Sequence, residues 1–210
     1  LKPEDIDYIT YDHLHTQDVR RWLGTDQEPA LFPNAKLLVH WREWESTLDL
    51  NPYQADWYCP SGIAGVPEDK VIKFDGSIML GDGVALVHTP GHTEGNHSIV
   101  VHTDEGIWVT SENGISVDSY APHLSAASGV ADYARTIGTE VIINGNTLEN
   151  SIDQYISMVQ EKTIAGPSQR DPRFPNVFPS SEMTPFWAFP GAKPAFYVGE
   201  ARHGKLHIPG

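Results

Sequence analysis

Short apolar segments separated by polar turns run along most of the chain, and they are of two kinds. Some alternate apolar and polar residues or are apolar throughout, which is typical of strands. We predict strands at residues 6–10, 35–40, 71–74, 78–80, 84–88, 98–101, 107–110 and 140–143. Others repeat apolar residues about every 3.6 positions, as helices do. We predict helices at residues 18–23, 41–48, 130–137 and 150–163. Because strands and helices alternate, the pattern predicts an α/β layered fold.

Three local features refine these elements. The polar residues 104–106 separate two predicted strands and indicate a hairpin. The last predicted helix has its apolar residues on one face, as does a helix that packs against a core. These residues are Ile152, Tyr155, Ile156 and Val159. Prolines and aromatic residues replace the periodic pattern toward the C-terminus. We therefore predict one domain at residues 1–165 and an extended tail without regular structure at residues 166–210, packed on that domain or on a partner subunit.

Composition and charge narrow the class of protein. The 210 residues are 40% hydrophobic, enough for one sizeable core, and the formal net charge is -14 at pH 7. Such a charge repels nucleic-acid phosphates and anionic lipid surfaces, so we expect neither nucleic acid nor a membrane as a partner. The single cysteine, Cys59, excludes an intrachain disulfide and a cysteine-rich zinc site. These features favour a cytoplasmic location.

Three histidines lie where they could bind a metal ion. His13 and His15 are two residues apart after a predicted strand, where residues i and i+2 point the same way. His92 follows the turn-forming residues Pro90 and Gly91, which direct its side chain off the end of the preceding strand. Zinc and iron both accept imidazole nitrogen, and three protein ligands leave a position open for water. A His-x-His pair by itself is also consistent with two ordinary surface histidines, and His92 is what favours the metal site.

The sequence around His92 resembles a known motif. Residues 89–98 read Thr-Pro-Gly-His-Thr-Glu-Gly-Asn-His-Ser, which is similar to the Thr-Pro-Gly-His-Thr-x-Gly-x-x-Ser motif of the metallo-β-lactamase superfamily. Residues 3–7 and 32–35 resemble the N-acyl homoserine lactonase branch of that superfamily. The resemblance covers about residues 1–164. It implies a metallo-β-lactamase-like αβ/βα four-layer sandwich with a metal centre at one edge of its paired sheets.

The resemblance also implies ligands for the first metal ion of that centre. Carried over residue by residue, these are His13, His15 and His92. Glu112 follows a predicted strand at the place of the family's bridging aspartate, and it keeps the charge on a side chain one methylene longer. We therefore expect one zinc ion at these residues, with iron or manganese as alternatives.

The residues implied for a second metal ion depart from the family pattern. That pattern is His-x-His-x-Asp-His, whereas this chain has Gln17 and Asp18 in the last two positions. A later Pro-Gly-His turn corresponds to residues 144–146, which places Asn146 at the last histidine. Neutral amide oxygens bind zinc less well than imidazole or carboxylate does. The sequence therefore predicts at most one well-made metal site.

Three functions are consistent with these residues. The first is a metal-dependent hydrolase of a small-molecule ester, lactone or thioester, in which a metal-bound hydroxide attacks the substrate and Asp18 or Glu112 accepts a proton. The second is a mononuclear iron oxygenase resembling the persulfide dioxygenases, with His13, His92 and Glu112 around the iron. The third is a protein that has lost its metal and keeps the fold to bind a ligand or partner. We take the hydrolase as the main prediction.

The paired histidines stand early in the chain. In the superfamily that the chain resembles, a run of strands precedes them, whereas here they begin at residue 13. Without such strands a sheet would leave an apolar face and an open edge exposed. We therefore expect the first strands of the fold to be cleaved, disordered or supplied by another chain, in a homo-oligomer or with a companion chain.

Overall fold

The computed structural model of the chain describes residues 1–143, 151–179 and 194–197. These residues form two compact units, one running from Leu1 to Gly76 and the other beginning at Ser77. Asn146, which we placed at the last histidine of a second metal site, lies outside the described residues. Among the described helices, none is long and apolar enough to cross a membrane. The domain boundary after residue 165 stays a prediction.

The first unit is built on a three-stranded parallel sheet. Its strands lie in the order β1-β2-β3, with Ile9 opposite Leu37 and Leu38 opposite Ile72. The elements are β1 (Tyr8–Thr10), α1 (Arg20–Leu23), β2 (Lys36–His40), α2 (Trp41–Leu48) and β3 (Val71–Phe74), with 3-10 helices at Pro3–Asp5, Ala55–Trp57 and Glu68–Lys70. Leu37, Leu38 and Val39 are all buried, so the central strand is covered on both faces, as is usual in parallel sheets.

The core of this unit fixes the segment that follows β1. Leu14, between the two paired histidines, is buried in a cluster that includes Leu37 and Val39. Burying a leucine side chain contributes about 1.5–3 kcal/mol. Leu14 therefore anchors in the core the loop that carries His13 and His15.

The second unit is built on a five-stranded sheet in the order β4-β5-β6-β7-β8, antiparallel except for the parallel pair β7 and β8. Its strands are β4 (Ile78–Gly81), β5 (Val84–His88), β6 (His97–Thr103), β7 (Gly106–Ser111) and β8 (Val177–Pro179). Its helices are α3 (Val130–Ile137) and α4 (Ser151–Ile164), with 3-10 helices at Val117–Ser119 and Pro122–Leu124. The predicted hairpin is confirmed, because Thr103 pairs with Gly106 across a two-residue turn.

Two predictions about strands in this part of the chain are wrong. Residues 140–143 form no strand: within the described part of the chain, the Ile142 N–H donates to the Ser119 carbonyl and no ladder follows. Residues 166–210 were predicted to lack regular structure, yet β8 lies within them and pairs with β7. A strand of three residues is too short to show a periodic pattern, and its partner is about 70 residues away in sequence.

The predicted apolar face of α4 is only partly buried: Tyr155 and Val159 pack against a core cluster, whereas its other two residues are exposed. Ile152 is 70% exposed and Ile156 is 58% exposed. The buried face instead carries Met158 together with the polar residues Gln154, Ser157 and Glu161. The prediction was wrong for Ile152 and Ile156, because this helix also packs on polar loop and strand ends, where its buried polar side chains find hydrogen-bond partners.

Candidate metal centre

His13 and His15 lie side by side in the loop after β1 of the first unit. Their ring centroids are 4.8 Å apart and the rings meet edge to face at 82°. His13 is 9% exposed, whereas His15 is half-buried. The His15 ring also meets Tyr58 edge to face at 4.7 Å, and the two residues form an isolated antiparallel bridge. The two imidazoles are therefore held close together on one side of the loop.

Asp12 orients the His13 ring. Its Oδ1 lies 3.0 Å from His13 Nδ1, and the same oxygen accepts the His13 backbone N–H at 3.0 Å. A histidine that binds a metal ion commonly donates its second ring N–H to a carboxylate, which fixes the tautomer and the ring orientation. With Nδ1 turned to Asp12, Nε2 is the ring nitrogen suited to a metal. The donor set on this loop therefore fits zinc or iron, and sequence reasoning missed Asp12.

Distant residues of the first unit hold the backbone of this loop. The Leu14 N–H donates to Oε1 of Glu43 on α2 at 2.8 Å, and Glu43 is fully buried. The Thr16 N–H donates to the Trp57 carbonyl at 2.8 Å. Thr16 has a φ of 58°, a left-handed conformation that is uncommon for a residue other than glycine. These bonds fix the loop in place, and the motif gave no sign of Glu43.

In the second unit, His92 lies in a tight turn between β5 and β6. The turn is closed by the Thr89 N–H, which donates to the Asn96 carbonyl at 3.0 Å, and by Asn96 Nδ2, which donates to the Thr89 carbonyl at 2.8 Å. Gly91 has a φ of 145°, and a Cβ there would lie 2.4 Å from the Cα of Gln154. Only glycine therefore fits at this position.

Asn113 joins the His92 turn to the segment that carries Glu112. The Asn113 Oδ1 accepts the His92 backbone N–H at 3.0 Å, and its Nδ2 donates to the Thr89 carbonyl at 3.1 Å. Glu112 stands directly after β7, between the buried residues Ser111 and Asn113, and is half-buried. Two predicted site residues of this unit, His92 and Glu112, are thus positioned through one amide side chain.

Glu161 of α4 lies at the centre of this buried network. Its Oε1 accepts hydrogen bonds from Ser98 Oγ and Asn113 Nδ2, both at 2.9 Å. Its Oε2 accepts from Ser111 Oγ at 2.7 Å and from the Tyr120 hydroxyl at 2.6 Å. Burial raises the pKa of the Glu161 carboxyl, and the four hydrogen bonds oppose that rise. Burial and the nearby Glu161 also raise the pKa of Tyr120.

The residues at the second-metal positions of the first unit have other partners. Asp18 is held by Arg20, whose Nε and Nη2 donate to its two carboxylate oxygens at 2.8 and 2.6 Å. The hydrogen bond from the Arg20 side chain lowers the pKa of Asp18. Gln17 lies against Gly62, where a Cβ would be 2.5 Å from the Gln17 carbonyl oxygen. Because the positively charged Arg20 side chain is bound to Asp18, a second cation is disfavoured at this position.

Comparison with known proteins gives relatives of one kind. No protein-family model matches the chain. An N-acyl homoserine lactonase of a Bacillus species is 30% identical over 104 residues, which are 50% of this chain and 36% of the relative. The N-acyl homoserine lactonase of Bacillus thuringiensis is 28% identical over a segment of the same length and coverage. The chain therefore matches about a third of the length of these relatives.

Solved structures of similar fold extend the comparison. A variant of the lactonase AiiA from B. thuringiensis, with N-decanoyl-L-homoserine at its active site, has a TM-score of 0.52 and 21% identity, over 85% of this chain and 56% of that one. A probable metal-dependent hydrolase from Staphylococcus aureus has a TM-score of 0.50 and 20% identity, over 78% and 50%. The chain has the metallo-β-lactamase fold.

This fold confirms the predicted α/β class, and the lactonase relatives confirm the resemblance to the lactonase branch. The strand β8 adds a neighbour to the segment that carries Glu112. That strand runs parallel to β7 and pairs Pro179 with Ser111, so the two strands end side by side. The end of β8 therefore lies beside the segment that carries Glu112. Sequence reasoning overlooked this neighbour because it missed the strand.

Proposed function

We propose that this chain is a metal-dependent hydrolase that cleaves a small-molecule ester, lactone or thioester, and that His13, His15 and His92 bind its metal ion with Glu112 as a carboxylate ligand. The observation that carries the proposal is the paired imidazoles of the first unit, with His13 oriented by the Asp12 carboxylate. That arrangement is the one found around histidines that bind metals. In the second unit, a hydrogen bond to Asn113 holds the turn that carries His92 next to the segment that carries Glu112.

The metal we propose is a single zinc ion. Imidazole suits zinc and iron, and zinc is the usual metal of a hydrolytic site with three histidines. Arg20 neutralises Asp18, and the Gln17 side chain offers only an amide, so these positions support no second ion. When bound, a divalent ion supplies a Lewis acid that polarises a carbonyl and makes water acidic near neutral pH.

If Glu112 lies beside the metal ion rather than on it, we propose Glu112 instead of Asp18 as the proton acceptor. A general base needs a carboxylate within hydrogen-bond reach of the proton that it takes up. The two oxygens of Asp18 both accept from Arg20, and the lowered pKa of Asp18 makes it a weaker base. Glu112 is half-buried at the end of β7, on the segment that Asn113 ties to the His92 turn.

Among these substrate classes, we propose a lactone. It is supported by the relatives, which are N-acyl homoserine lactonases. Within the first unit, Trp57 lies with its ring 6.4 Å from the His15 ring and is 49% exposed. An exposed aromatic ring beside a candidate ligand offers an apolar surface to an acyl chain.

The test is metal content followed by hydrolysis. We expect the purified full chain to hold about one zinc ion and to open N-acyl homoserine lactones, with thioesters as the comparison substrates. His13→Ala and His92→Ala should each lose both the metal and the activity. His102→Ala, an exposed histidine on β6, is the matched control and should keep both.

Other outcomes would replace this proposal. Iron in place of zinc, with consumption of oxygen, would favour a mononuclear oxygenase. Absence of any metal at stoichiometric level would indicate a binding protein of the same fold. Retention of metal and activity in both His13→Ala and His92→Ala would show that these histidines are not the ligands.

A further inference from the structure

A fully buried carboxylate is unusual on the inner face of a helix. Glu161 has no exposed surface, and neither has Tyr120, one of its partners. Removing a charge from water is costly, and a hydrophobic residue of similar volume would often serve stability as well or better. The best-attested role of a buried charge is to specify one conformation of the groups around it.

The four groups that Glu161 binds come from three separate segments. Ser98 lies at the start of β6, Ser111 at the end of β7 with Asn113 just after it, and Tyr120 follows the 3-10 helix at Val117–Ser119. Each donates to one of the two carboxylate oxygens. The carboxylate therefore fixes these segments relative to one another.

Asn113 carries this constraint to the candidate metal ligands. With its Nδ2 on Glu161, its Oδ1 faces the His92 backbone N–H at 3.0 Å. The same Nδ2 reaches the Thr89 carbonyl, at the other side of the turn. Rotation of the Asn113 amide would remove both contacts with the turn, and Glu161 opposes that rotation because it accepts only from the Nδ2 side.

We propose that Glu161 is a positioning residue, whose buried carboxylate orients the Asn113 side chain and thereby holds the His92 turn next to the segment that carries Glu112. The proposal rests on the proposed function, since it takes His92 and Glu112 as metal ligands. Glu161 itself touches neither substrate nor metal. Its contribution is to the geometry of ligands that would otherwise have to be ordered when the metal binds.

The experiment measures zinc affinity of the full chain by competition with a chromophoric chelator, with folding checked by circular dichroism and urea unfolding. Glu161→Leu removes the acceptor, and its zinc affinity should fall by about 10–100-fold. Glu161→Gln keeps an oxygen for Asn113 and turns its amide N–H groups to the hydroxyls of Ser111 and Tyr120, which can accept. The zinc affinity of this variant should therefore fall by less than about tenfold.

A double-mutant cycle tests the route through Asn113. Asn113→Ala should weaken zinc binding about as much as Glu161→Leu does. The double variant should bind zinc no more weakly than the weaker-binding single variant. The effects of two residues that act through one another are not additive. Leu86→Ala, a buried substitution on β5 outside the network, is the control that loses stability and keeps its zinc affinity.

The outcomes separate this proposal from the function on which it rests. A wild-type chain that binds no zinc would overturn both. A wild-type chain that binds zinc, with Glu161→Leu unchanged or with losses that multiply in the double variant, would overturn the positioning role alone. An equal loss of zinc affinity in Leu86→Ala would also overturn it, because affinity would then follow stability. If Glu161→Leu does not fold, an unchanged zinc affinity in Asn113→Ala would likewise overturn the positioning role.

Discussion

Replacement of Gly91 by alanine tests whether the His92 turn is built as described. A Cβ at this position would lie 2.4 Å from Gln154 Cα, 2.7 Å from Gln154 Cβ and 2.8 Å from Asn113 Oδ1. Two of these atoms belong to α4 near its backbone, so they cannot rotate away as the end of a flexible side chain could. The turn or the helix must therefore shift by roughly 1 Å to restore ordinary contact in a close-packed interior.

The magnitude combines two costs. Overpacking of this kind destabilises a protein by about 1–3 kcal/mol. The φ of 145° at Gly91 is a conformation almost reserved for glycine, and forcing another residue into it costs about 1–3 kcal/mol. We therefore expect Gly91→Ala to lower the free energy of unfolding by about 4 kcal/mol. Zinc binding should weaken as well, because the residue that moves is the neighbour of His92.

The assay is urea unfolding of the variant beside a matched control, with zinc affinity measured on both. Gly138 also has a positive φ, 68°, but a Cβ there would meet no atom within 4 Å. Gly138→Ala should therefore cost only about 1–2 kcal/mol and leave zinc affinity unchanged. The reasoning would be refuted if Gly91→Ala lost no more stability than Gly138→Ala, because the close approach of α4 would then be absent.

Three further predictions follow from single contacts. Asp12→Ala should weaken zinc binding about 10–100-fold by releasing the His13 ring, as measured by chelator competition. Glu43→Leu should cost about 1–3 kcal/mol in urea unfolding because it leaves the Leu14 N–H without its acceptor, whereas Glu43→Gln should stay near wild type. Burial raises the pKa of folded Glu161 above its ordinary 4.5, so wild type should lose stability relative to Glu161→Gln as pH rises from about 4.5 through the folded pKa. If wild type instead gained stability relative to Glu161→Gln as pH rises over that range, the predicted direction would be wrong.

Local signals in the sequence were enough for several elements. The bounds of α2, β3, β5 and α3 agree with the prediction, since each has a clear period and a distinct stop, such as Gly138 after α3. Prediction failed where a partner decides the structure. Residues 140–143 are mostly apolar but pair with no described strand, and β8 is too short to be predicted until β7 lies beside it.

The residues of the candidate site also fall into those that local sequence predicts and those that it does not. His13, His15 and His92 stand out because their chemistry is carried by spacing and by the turn residues next to them. Asp12 and Glu43 do not stand out, because acidic residues are most often on the surface and nothing near them in sequence marks them as different. Glu43 is 29 residues from the backbone N–H that it accepts.

The sequence by itself determined the fold family, through residues 89–98, and the histidines that would bind a metal. Only the tertiary structure decided which carboxylates support them. Glu161 accepts from Ser98, 63 residues away, on a helix whose apolar residues had indicated the opposite face. The physical reason is that periodicity reports local burial preferences, whereas the position of a buried charge depends on donors that come together only when distant segments pack.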